Sequence, residues 1–265
     1  YRITLILRDF IRCILRRRGS FCPASPGYSF MEQEQLTLNL QIRPAPSLDN
    51  FAVGDNAELV SVLRTMAETG SGPQFLYLWG ETGVGCTHLL HAMDPLAGVE
   101  RVPAFSESRL IYTVDDVEEL GEDSQQKLFE LMNDVRSHSD GGPFGQYRLI
   151  TAGDLPPLQM KGRPDVISRL SWGLVFQVHP LTDEQKDAAL RKLAEESRID
   201  LPDDARQWML EHLPRDMGTL SEALFEVERF ALGASKKITR TLLRQCFPPR
   251  NTAVREESAP KMVTD

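Results

Sequence analysis

Apolar positions along the chain follow two rhythms. From Phe75 to Val178, short apolar runs alternate with stretches in which apolar residues recur every three or four positions. Phe75–Trp79, Leu110–Val114, Tyr147–Ala152 and Leu174–Val178 have the length and composition of buried strands, and Arg101–Phe105 predicts a further brief one. Between them, Asn56–Ala67 puts Leu59, Val62, Leu63 and Met66 on one helical face. Gln125–Ser137 does the same with Leu128, Leu131, Met132 and Val135. A short helix to about Met93 follows a glycine-rich turn, and Arg163–Trp172 places two arginines near a turn. Strands alternating with helices predict an α/β fold, a parallel sheet with helices on both faces. From Pro180 only the helical rhythm remains. Thr182 caps a helix to about Ser197, with Asp183 and Glu184 in its first turn, and others cover Asp203–His212, Asp216–Leu232 and Ile238–Cys246. This predicts a small all-helical second domain.

The organisation is then an extension over 1–30, a flexible tail over 31–46, an α/β domain over 47–179, a helical domain over 180–247 and a polar, disordered tail over 248–265. Ser47–Gly54 is a linker with two apolar anchors. The extension carries six arginines and one acid, whereas the whole chain of 265 residues has a net charge of −8. Its apolar stretch is interrupted by Arg8, Asp9 and Arg12 and is too charged to span a bilayer. Met31 is the expected start of the functional chain, the residues before it being translated upstream sequence. The acidic balance argues against wrapping duplex DNA over a broad basic face. Cys13, Cys22, Cys86 and Cys246 have no metal-ligand spacing and fit a reduced, cytoplasmic protein.

The chemistry concentrates at Gly80-Glu81-Thr82-Gly83-Val84-Gly85-Cys86-Thr87, between a strand and a helix start. Gly80, four residues, Gly85, one residue and Thr87 match the phosphate loop everywhere except at the lysine, which is Cys86. Glycines let consecutive backbone N–H groups turn toward an anion, and the helix N-terminus adds its partial positive charge. The same residues also fit a tight strand-to-helix turn without a ligand. Losing the lysine removes a point charge from the β/γ-phosphates, so hydrolysis should be impaired. Asp115 and Asp116 end the second strand. In a phosphate-loop fold such an acid meets a nucleotide-bound magnesium, although a solvated strand end before a helix cap has the same sequence. Gln35-Leu36-Thr37-Leu38-Asn39-Leu40 fits an edge strand. It also fits an extended peptide whose glutamine anchors it while leucines fill an apolar pocket, and it resembles the peptide that docks on the bacterial sliding clamp.

Taken together, residues 35–247 resemble the AAA+ domain of the bacterial initiator DnaA and its homologues. Thr151-Ala152-Gly153-Asp154-Leu155-Pro156-Pro157 and Ser168-Arg169-Leu170-Ser171-Trp172-Gly173 carry the resemblance most specifically. The Gln35–Leu40 peptide, absent from the initiator, points to the family's regulatory inactivators. The resemblance implies a Walker A loop over Gly80, Gly83, Val84, Gly85, Cys86, Thr87 and His88, a Walker B pair at Asp115 and Asp116, and a sensor 1 at Asp154. It implies a sensor 2 at Arg215, an arginine finger acting in trans at Arg169, and clamp binding by Gln35, Leu36, Leu38 and Leu40. ADP or ATP would be the cofactor, with Mg held through Thr87 and Asp115. The implied partners are DnaA and the β sliding clamp of DNA polymerase III, with DNA reached only through the clamp, no membrane, and room for a homo-oligomer. The implied function is negative regulation of replication initiation by an accessory protein that stimulates DnaA hydrolysis. An active AAA+ ATPase such as a helicase loader or clamp-loader subunit, and a purely scaffolding clamp ligand with an empty loop, are the alternatives. The segment between the Walker motifs is short, which predicts an abbreviated second strand. The initiator's helix-turn-helix has no counterpart here, so origin recognition is not expected.

Overall fold

The computed structural model describes residues 44–138 and 146–248. The expected extension, the tail up to residue 43 with Gln35, Leu36, Leu38 and Leu40, and the expected C-terminal tail from residue 249 lie outside the described residues. In chain order come α1 (Ala57–Thr69), β1 (Phe75–Trp79), α2 (Cys86–Met93), β2 (Ile111–Val114), α3 (Glu122–Ser137), β3 (Arg148–Gly153), α4 (Pro164–Leu170) and β4 (Leu174–Gln177). Four helices follow: α5 (Asp183–Glu196), α6 (Asp203–His212), α7 (Met217–Gly233) and α8 (Arg240–Cys246).

The sheet order is β2-β3-β1-β4, and every pairing is parallel. Side chains on a strand alternate between faces, so a strand covered on both sides must be apolar throughout. β1 shows this directly. Leu76 and Leu78 join Leu59, Leu63 and Met66 of α1 and Leu89, Leu90 and Met93 of α2. Phe75 and Tyr77 face the other way, toward Leu128, Leu131, Met132 and Val135 of α3 and Val166 and Leu170 of α4. β4 is an edge, and Leu174 and Val175 remain exposed there despite the apolar sequence.

Two expectations are corrected. Arg101–Phe105 is not a strand: Pro103 has no N–H for a ladder, and Phe105 instead packs its ring on Tyr112, His138 and Tyr147. The arginines of Arg163–Trp172 sit at the two ends of helix α4, which begins at Pro164, where the missing N–H costs nothing. No strand lies between α2 and β2 among the described residues. Asp94 at the end of α2 anchors this segment, accepting from Arg109 and, at 3.0 Å, from the Thr113 hydroxyl of β2.

The helical domain has a core of its own, with Leu190, Trp208, Met209, Leu220, Leu224, Val227, Leu242 and Leu243 at its centre. Thr182 caps α5, as the sequence predicts, and Gln185 makes the cap a reciprocal capping box. Asp216 caps α7 and Thr239 caps α8.

Candidate functional site

At the carboxyl ends of the strands, where open parallel sheets bind ligands, lies a cavity of about 720 Å³. Three stretches from distant parts of the chain build it: residues 50–54, the loop of residues 80–88, and residues of α5 and α7 including Gln185, Lys192 and Ser221. Asp115, Asp116 and Asp154 complete it from the ends of β2 and β3. The structure thus brings Gly80, Gly83, Val84, Gly85, Cys86, Thr87, His88, Asp115, Asp116 and Asp154 to one cavity.

The loop needs its glycines. Gly83 and Gly85 have φ of 87° and 109°, a region costly for other residues. A Cβ on Gly83 would come within 2.5 Å of Asp216, and one on Gly85 within 2.8 Å of the Phe51 ring. α2 starts directly after Gly85 with no side chain capping its first turn. Its N–H groups are therefore directed at an outside acceptor. This cradle fits the phosphates of a nucleotide. Phe51 lies 5.7 Å from the His88 ring, and His88 Nε2 is 3.0 Å from the Ser47 carbonyl, to which it donates. Burial lowers the His88 pKa, so the ring is neutral here.

The charge of the cavity is lopsided. Among the described residues, Glu81, Asp115, Asp116, Asp154 and Glu196 face it against Lys192, whose Nζ donates to the Asp49 carbonyl at 3.0 Å. Cys86 supplies no charge: burial, then Asp115 and Asp154, push its thiol up to about 12. Burial also raises Asp116, with Asp115 and Glu119 adding to it. Thr82 donates to Asp154 Oδ2 at 3.3 Å. Behind Asp154, Glu118 Oε2 is buried without a hydrogen-bond partner. Among the described residues no group of three or more His, Cys, Asp or Glu is placed to hold a metal by itself. Thr87 and Asp115 could hold magnesium only together with phosphate oxygens.

Two expected site residues lie away from the cavity lining. Arg215 is on the lid surface and donates to Asp183 at 2.8 Å. Arg169, at the end of α4, lies across the Phe129 ring at 3.7 Å and 4.6 Å from the Trp172 centroid. It donates to Asn133 Oδ1 and, at 3.5 Å, to the Phe129 carbonyl, both neutral acceptors. Arg163 differs: its guanidinium takes Asp165 in a two-pronged pair at 3.2 and 2.7 Å. Sequence reasoning missed Phe51, Gln185, Lys192 and Ser221 in the cavity, and Phe129 and Asn133 under Arg169. Periodicity marks core faces, and none of these positions breaks it.

Residues 183–247 match the family model described as Hda, lid domain. The helical domain is thus similar to the lid of Hda. Among solved structures it is similar to domain III of the replication initiation protein DnaA from Thermotoga maritima, at 18% identity and a TM-score of 0.63. That match covers 77% of this chain and 97% of the other. AMPPCP-bound DnaA from Aquifex aeolicus matches at 20% identity and a TM-score of 0.55, covering 72% of this chain and 68% of that one. The Thermotoga maritima RuvB Holliday junction branch migration motor matches at 14% identity and a TM-score of 0.54, over 77% and 71%. At these identities the likeness is one of fold. A parallel α/β domain with the fold of these structures therefore precedes a helical domain similar to the Hda lid.

Proposed function

We propose that this chain is a negative regulator of replication initiation that completes the hydrolytic site of the initiator DnaA. Its Gln35, Leu36, Leu38 and Leu40 dock on the DNA-loaded sliding clamp. Its AAA+ domain then meets ATP-bound DnaA and presents Arg169 to the partner's γ-phosphate. A guanidinium supplied in trans stabilises the charge that develops during phosphoryl transfer. DnaA is left with ADP and inactive. The observation that carries this reading is the position of Arg169. It lies outside the cavity lining of its own chain and, among the described residues, its hydrogen-bond partners are neutral, while neighbouring Arg163 is neutralised by Asp165.

The chain's own cavity would hold ADP or ATP as a structural cofactor. The loop N–H groups and Thr87 would bind the phosphates, Asp115 would position magnesium, and the stretch around Phe51 would close over the base. With a neutral thiol where the lysine belongs, intrinsic turnover is weak and the chain acts as an accessory cytoplasmic protein.

The test is DnaA ATP hydrolysis with and without this protein and clamp-loaded DNA. Stimulation that needs all components supports the reading, whereas an unchanged rate refutes it. Alanine at Gln35, Leu36 and Leu38 should abolish clamp binding by surface plasmon resonance while leaving the melting temperature alone. Robust phosphate release by the isolated protein would favour an autonomous ATPase instead.

A further inference from the structure

Arg169 is not the only cation on its surface. Arg136, near the end of α3, lies over the same Trp172 ring, with Cζ 4.5 Å from the centroid. Both guanidinium groups therefore share one indole, which is itself 38% exposed. Like charges on one ring repel: burial is the main cause that lowers the Arg169 pKa, Asp165 opposes it, and Arg136 adds a smaller lowering. Among the described residues no ion pair holds Arg136. The nearby carboxylate, Asp165, is occupied by Arg163. Among the described residues neither Arg136 nor Arg169 has a salt-bridge partner of its own, and Asp165, which acts on Arg169 from a distance, is bonded to Arg163.

Such an arrangement fits an anion with more than one charge. A single carboxylate would neutralise one guanidinium and leave the other beside it. A polyphosphate offers oxygens to both, and the guanidinium fork matches phosphate geometry. The aromatic ring contributes by holding both cations through its face while they stay accessible.

We propose that Arg136 is a second anion-binding residue of the trans site, gripping with Arg169, across Trp172, the polyphosphate of the nucleotide bound to the partner AAA+ domain. This rests on the regulatory reading above. Arg136 would bind and orient the polyphosphate, and Arg169 would act on the transferred group. Loss of Arg136 should therefore raise the amount of protein needed for half-maximal stimulation more than it lowers the maximal rate.

The experiment measures DnaA ATP hydrolysis on clamp-loaded DNA against increasing concentrations of the full chain, for wild type, Arg136→Met, Arg136→Lys and Arg169→Ala. Methionine keeps an extended apolar stem on Trp172 and removes the charge. Because Arg136 is exposed, its melting temperature should match wild type. Arg136→Met should need roughly tenfold more protein for half-maximal stimulation, the scale of one charge-assisted hydrogen bond. Arg136→Lys should recover most of that loss. Wild-type behaviour of Arg136→Met overturns the proposal, as does equal impairment of methionine and lysine, which would mean a role through packing alone. Arg169→Ala separates the two ideas. If it stimulates fully, the regulatory reading itself fails. If it is inactive while Arg136→Met is unaffected, only the role of Arg136 fails.

Discussion

Two regions of this molecule suit phosphate, and they are built oppositely. The cavity at the strand ends has the backbone cradle, the helix N-terminus and the acids for magnesium, but a neutral thiol at the position of the expected cation. The surface formed by α3, α4 and Trp172 has two guanidinium groups on one ring and no cradle. A self-sufficient phosphate-loop enzyme needs cradle and cation around one phosphate. Here they belong to different faces of the same chain. On the proposed reading, the cavity retains a nucleotide and the exterior surface acts on one held elsewhere.

Substitutions can break or sharpen this contrast. The largest effect is expected at Arg169. Arg169→Ala should lower stimulated DnaA hydrolysis by roughly 10³–10⁵, and Arg169→Lys should rescue poorly because a point charge lacks the planar fork. Arg163→Ala should cost far less, since that guanidinium is already paired with Asp165. In the cavity, Gly85→Val forces a branched side chain to positive φ and against Phe51. Backbone strain on that scale should weaken ADP binding roughly tenfold to a hundredfold by calorimetry. Cys86→Lys would unite cradle and cation, and should tighten ATP binding by about tenfold.

The smallest effect is on stability against pH. The Cys86 thiol ordinarily titrates at 9.0 and is held to about 12 in the folded chain. Between those values the unfolded chain loses this proton while the folded chain keeps it, so stability falls as pH rises through that window. Cys86→Ser should flatten that part of a denaturation profile taken from pH 8 to 11.

The sequence was most legible where one physical constraint acts on neighbouring residues. β1 and β3 must be apolar on both faces, and their runs reveal them. The phosphate loop is legible because turn geometry forces glycine at fixed spacing, and the helical domain because Thr182 and Asp216 mark helix starts. β4 is more instructive. Its apolar run predicts burial, yet as an edge it leaves Leu174 and Val175 open. The cavity's lid side was not legible, because Lys192 and Ser221 reach it only through packing across more than a hundred residues of chain. Arg215 is an Asp183 partner on the lid surface. Its position in the motif does not disclose that contact. Nor does the pattern of α3 disclose its second task. Leu128, Leu131, Met132 and Val135 account for its buried face, while Phe129 and Asn133 on another face receive Arg169.

The central claim is that Arg169 acts on a nucleotide held by another protein. It is tested most directly by loading DnaA with labelled ATP, removing free nucleotide, and adding this protein on clamp-loaded DNA for a single turnover. The account predicts that the label on DnaA is converted to ADP by wild type and remains ATP with Arg169→Ala. Equal conversion by both proteins, or conversion only when free ATP is restored to fill this chain's own cavity for turnover there, would contradict it.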